Sequence, residues 1–202
     1  SVASRGLGDV YKRQTLCSAP AQSAPPRNIS AVTTLPPTAF GLGPLPGTDL
    51  AQAADVVLSE SPLPHIPQLP DRGVGSDLIG RTAAMLEIPV ARGPRGWRVA
   101  ARKRADADRM ERDLDHLEDL WHGKVDTVKV QLAGPFTLAA EIEMANGHRM
   151  ITDPGALRDL TDALLEVCVG HRRDVEKRFG ASVLQLDEPR LPEVVAGTLQ
   201  GT

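Results

Sequence analysis

Two runs of β-forming residues dominate the pattern of apolar and polar positions, Val128-Lys-Val-Gln-Leu-Ala-Gly-Pro-Phe-Thr-Leu-Ala139 and Ser182-Val-Leu-Gln-Leu-Asp-Glu-Pro-Arg-Leu-Pro192. Each stops at a Gly-Pro or acidic-Pro corner and passes into a helical pattern, which predicts strands over 127–132 and 182–186 with a loop and helix after each. Between them, Asp153 caps the strongest helical pattern in the chain, with Pro154 at its first position. Leu157, Leu160, Leu164, Val167, His171, Val175 and Phe179 form its apolar stripe, and Gly180 closes it. A helix is predicted after Thr48 or Asp49, with Leu50, Ala54, Val57 and Leu58 on one face and capping-box spacing between Asp49 and Gln52. Others are predicted from Ser76 or Asp77 to Leu86, from Lys103 to Trp121 with Ala107, Met110, Leu114, Leu117 and Trp121 inward, and from Pro135 to Met144.

The connections are proline-rich. A short strand is expected from Thr38. Ser61-Pro-Leu-Pro-His-Ile-Pro-Gln-Leu-Pro70 cannot be a regular helix, because its prolines remove donors and hold each preceding residue extended. It is expected to run extended over the rim of the fold. Pro89, Gly93-Pro94 and Gly96 predict an irregular connection. Residues 15–36, rich in Ala, Pro, Ser and Thr, hold too little apolar surface to offset the entropy of ordering and are expected to form a loose leader.

Strand and helix alternate, which argues for a parallel sheet. The short spacing and lack of a Gly-rich phosphate turn favour a (β/α)8 TIM barrel over a doubly wound sheet. A whole barrel takes about 250 residues. Residues 37–202 are expected to hold the N-terminal half of one, within an α/β class. Net charge is −3, and the basic clusters Arg102-Lys-Arg104 and His171-Arg-Arg173 fall inside helical patterns, which argues against a nucleic-acid partner. No apolar run of membrane-spanning length occurs, and Cys17 and Cys168 lie far apart, so a reduced, cytoplasmic setting is expected.

The two corners, with Phe40-Gly-Leu-Gly-Pro-Leu-Pro-Gly-Thr-Asp49 upstream, resemble the catalytic domain of cobalamin-independent methionine synthase. The likeness is to short actinobacterial and archaeal members, within the barrel group that includes uroporphyrinogen decarboxylase. It runs from Pro37 to the C-terminus, with Gln185-Leu-Asp-Glu-Pro189 as its most specific piece. The Gly-Pro-Phe-Thr-Leu corner is shared with the decarboxylases. Ser4-Arg-Gly-Leu-Gly-Asp-Val-Tyr-Lys-Arg-Gln14 resembles the read-through translation of a sequencing adapter, so residues 1–14 are expected to be a library scar and the chain a fragment.

The resemblance implies a methyltransferase that makes methionine from homocysteine. Asp187 and Glu188 are adjacent, so on an extended backbone they point to opposite sides, and Gln185 shares the side of Asp187. By resemblance Asp187 holds the ammonium group of homocysteine, which suits a carboxylate at a barrel mouth. Glu188 is expected to support it or to pair with Arg190. The family's first corner receives the substrate carboxylate through backbone and Ser groups. Here Pro44 stands at the Ser position, leaving the backbone of Gly43 as a contributor. Gly134-Pro135 turns into a helix whose first N–H groups suit a carboxylate or phosphate, with Thr137 lining the place.

Ala139, Ala140 and Glu141 follow where folate-binding relatives carry an aromatic residue. The methyl donor implied is therefore methyltetrahydrofolate or a corrinoid carrier, with a methyl-carrier protein as a possible partner. The resemblance also implies zinc in the full-length protein, bound by residues beyond Thr202. Cys168 and His171 stand three apart on one helix, and core packing explains that spacing better than metal ligation. Two alternatives stay open: a decarboxylase-like or corrinoid-dependent methyltransferase barrel, and a degenerate barrel that binds without catalysis.

Overall fold

A computed structural model describes residues 38–102 and 108–200. The chain divides into 1–36 and 37–202. The adapter-like start, the leader, residues 103–107 of the third predicted helix and the last two residues lie outside the described residues.

The predicted helices form where their caps stand. Helix α1 (Leu50–Glu60) begins at Asp49, whose carboxylate accepts from the N–H groups of Ala51 and Gln52 at 2.9 and 3.1 Å. Helix α2 (Leu78–Met85) begins at Asp77, which accepts from Gly80 N–H. Helix α3 (Arg109–Trp121) buries Met110, Leu114, Leu117 and Trp121. The longest helix, α5 (Pro154–Phe179), is capped by Asp153. At its far end Gly180 has φ of +96°, and a Cβ there would stand 2.6 Å from the carbonyl oxygen of Asp126. Glycine is therefore required where the chain turns into the next strand.

Strands β3 (Thr127–Ala133) and β5 (Ala181–Asp187) pair in parallel, with Lys129 beside Val183, Gln131 beside Gln185 and Ala133 beside Asp187. Helix α4 (Pro135–Glu141) follows β3 directly, and α6 (Leu191–Ala196) follows β5 after a short corner. Val128, Val130 and Leu132 face the helices; the alternate residues face the other side. One apolar cluster joins α1, α3 and the end of α5, where Trp121 and Phe179 meet edge to face at 5.8 Å. A second joins α2, α4 and the first half of α5.

Four stretches depart from expectation. The proline-rich segment does not lie over a rim but sits within the parallel array. Ile66 N–H donates to Lys129 O at 3.0 Å and Lys129 N–H to Pro64 O at 2.8 Å, while on the other side Gln68 N–H donates to Gly43 O and Leu45 N–H to Gln68 O. Its prolines occupy positions from which these contacts draw no N–H, so they cost the pairing nothing. The strand expected from Thr38 is reduced to the single bridge of Pro44 to Gln68. Four parallel runs thus stand side by side in chain order, around Gly43, around Ile66, β3 and β5.

The expected irregular connection is an antiparallel hairpin of β1 (Val90–Gly93) and β2 (Gly96–Val99). Its glycines and proline are turn residues closing two short strands. Trp97 is buried, its ring 2.7 Å from where a Cβ on Gly80 would be. The helix after Pro135 also ends early. Ile142 and Glu143 leave it as β4 (Ile142–Glu143) to pair with Trp97 and Arg98.

Candidate functional site

The corner after β5 is built from both sides. Ala133 N–H donates to the Thr82 hydroxyl at 2.9 Å, tying the end of β3 to α2, and Gly134 N–H donates to Asp187 O at 2.9 Å, extending the ladder to the last residue of β5. Asp187 and Glu188 then diverge, as alternation requires.

Glu188 turns to α4. Its Oε1 accepts from Phe136 N–H at 3.0 Å and its Oε2 from Thr137 N–H at 2.7 Å. The N–H groups that the sequence offered to a substrate anion are thus taken by the chain's own carboxylate. Gly134 makes this possible, since a Cβ there would stand 2.2 Å from Glu188 Oε1. The Thr137 hydroxyl, fully buried, accepts from Arg190 N–H at 3.3 Å. Arg190 does not pair with Glu188 but with Glu141 and Glu193. Gly134, Thr137 and Glu188 form one closed cluster behind the corner.

Asp187 turns to the opposite, polar side. Its Oδ1 accepts from Gln185 Nε2 at 2.5 Å; its Oδ2 receives no hydrogen bond from the described residues. Gln185 in turn donates to Leu42 O at 3.1 Å and accepts from Lys129 Nζ at 2.5 Å. Lys129 is 1% exposed, with its ammonium 5.0 Å from the ring centre of Phe40. Burial pulls its pKa down to about 8 despite the opposing attraction of Asp187. Gly43 joins this side: it is buried at φ of +131°, where a Cβ would meet the Gln131 amide at 2.6 Å. Its carbonyl is taken by Gln68.

His65 completes the polar layer. Both its ring nitrogens are buried without a partner, and burial with the nearby Lys129 ammonium lowers its pKa to about 4. The imidazole is therefore neutral at ordinary pH. Gln131 leaves its Oε1 unpartnered beside it in the same layer.

Asp187 and the stretch at Gly43 are thus brought together, and the Gly134 cluster stands apart. Lys129, Gln131, His65 and Gln68 escaped sequence reasoning. A signal existed in the Val-Lys-Val-Gln alternation of β3, which places two polar residues on one strand face.

Among the described residues no group of three or more His, Cys, Asp or Glu side chains gathers to hold an ion. Cys168 is buried, and burial raises its thiol pKa, away from the thiolate a metal requires. His171 is buried on the same helix, its pKa lowered to about 4 by burial first and then by Arg81. Nor is any described helix long and apolar enough to cross a membrane.

Residues 106–199 match the family described as the cobalamin-independent synthase catalytic domain, the family that the sequence resembles. The matched span contains β3, β5 and both corners. No curated protein and no solved structure matches the chain.

Proposed function

We propose, from the match of residues 106–199 to the cobalamin-independent synthase catalytic domain, that this chain is the strand 1 to strand 4 portion of a (β/α)8 barrel that transfers a methyl group to the sulfur of homocysteine. The four parallel runs in chain order support the barrel reading. Each hands over at its C-terminal end to a loop on the side where barrel enzymes bind substrate.

One observation carries the substrate assignment. Asp187 stands at the C-terminal end of β5 with one carboxylate oxygen fixed by Gln185 and the other without a hydrogen-bond partner among the described residues. An ammonium group at Oδ2 would form a charge-assisted hydrogen bond without displacing any contact. Gly134, Thr137 and Glu188 hold the corner in shape; Gly43 brings the facing backbone close. The methyl donor is a folate or a corrinoid carrier. Among the described residues no set of His, Cys, Asp or Glu side chains fits the zinc that the family resemblance implies.

Asp187→Asn keeps the shape of the side chain and removes its charge. It is expected to weaken homocysteine binding by about 1.5 to 3 kcal/mol, roughly one to two decades in affinity. Titration calorimetry reads this directly. Equal affinities for the variant and the parent would remove Asp187 from the site and with it this reading.

A further inference from the structure

We propose that Lys129 is a positioning residue for Asp187, acting through the carboxamide of Gln185, an inference that rests on the reading of Asp187 as the receptor for the homocysteine ammonium. The two ends of a carboxamide differ: the oxygen only accepts and the NH2 only donates. With Lys129 Nζ holding Oε1 at 2.5 Å, the NH2 group of Gln185 is turned to Asp187 Oδ1 and to Leu42 O. The reversed amide would set its oxygen against a carboxylate and a carbonyl, and its NH2 against an ammonium. Each of these contacts is repulsive. The buried cation therefore reinforces the orientation that Asp187 and Leu42 O also favour, and holds in place the amide that fixes Oδ1 of Asp187.

The same cation reaches Leu42 O at 3.4 Å and lies beneath Phe40, so it also holds the stretch before Gly43 against the corner. A buried lysine with no such task would be costly to keep. The ionisable groups facing it are Asp187 from β5 and His65 from the proline-rich segment, the latter neutral at ordinary pH. Lys129 carries its charge below about pH 8 and loses it above, so its hold on the Gln185 carboxamide should weaken in the same range.

The test is calorimetric titration of the full chain with homocysteine from pH 6.5 to 9.5, with melting temperatures recorded alongside. Lys129→Met should weaken binding about tenfold at pH 7, and Gln185→Leu by a similar factor. The double variant should be no worse than either single one, because both cut the same relay. Lys129→Arg should stay within about threefold of the parent at pH 7 and shift the alkaline loss of affinity upward, toward the titration of the ligand's own amine. A merely structural lysine would not move that limb. If Asp187→Asn loses binding while Lys129→Met binds as the parent does, the inference is overturned and the function stands. If Lys129→Met fails to fold, an unmoved alkaline limb in Lys129→Arg overturns it instead. A parent chain that does not bind homocysteine at all refutes the function first, and the inference with it.

Discussion

Asp187 and Glu188 are identical in charge and adjacent in sequence, yet the pleat gives them separate tasks. Glu188 is satisfied twice by the chain and Asp187 once, so the two should respond differently to substitution. Glu188→Ala leaves the first N–H groups of α4 without an acceptor and is expected to cost about 1 to 2 kcal/mol of stability, read from urea unfolding. Glu188→Gln should lower homocysteine affinity less than Asp187→Asn does. Gly134→Ala places a methyl group against Glu188 and is expected to destabilise by a similar amount. A stable Gly134→Ala protein with unchanged unfolding would show that Glu188 does not dock on α4. Alternation along the strand made the divergence of these two acids legible in the sequence. The destination of Glu188 was not, because it depends on α4 beginning within reach of the β5 corner.

Among the elements, α5 shows what local sequence settles and what it leaves open. Its cap, its proline start, its stripe and its glycine stop are all written within 28 residues, Asp153 to Gly180, and all form as expected. The hairpin of β1 and β2 was not legible, since Gly93, Pro94 and Gly96 mark a turn only when partner strands flank it. The register of Val90 with Val99 is fixed by burying Trp97 against Gly80, a contact far outside any local window. The placement of 61–70 within the sheet was hidden for the same reason. Burial on α5 also carries a pH dependence. Folded His171 protonates only near pH 4, whereas in the unfolded chain it does so near 6.5, so between these values the unfolded state binds more protons. Stability contributed by the neutral ring is therefore complete above pH 6.5 and lost as pH falls to about 4, on the order of 3 kcal/mol. His65 adds a loss of the same sign. Urea midpoints measured from pH 7 to 4 should fall, and His171→Leu should flatten the slope; an unchanged slope would mean that His171 is solvated.

For the molecule, the unequal covering of the sheet matters most. Helices α1, α3 and α5 bury one face of β3, and the proline-rich run covers its far edge. Among the described residues β5 pairs with β3 alone, so its other edge carries backbone donors and acceptors without a strand partner. Leu186, which shares the apolar face with the fully buried Leu132, is 47% exposed, and Phe40 and Leu42 are exposed across the polar layer. An unpaired edge next to exposed apolar side chains is a template for pairing with another strand. The chain as it stands is therefore expected to associate in a concentration-dependent way, read by gel filtration with light scattering across a hundredfold dilution. Leu186→Lys puts a charge beside the open edge, where it would have to be desolvated on pairing, and should shift the population toward monomer without lowering the melting temperature. A parent chain that stays monomeric at every concentration and unfolds cooperatively would show that the β5 edge is protected.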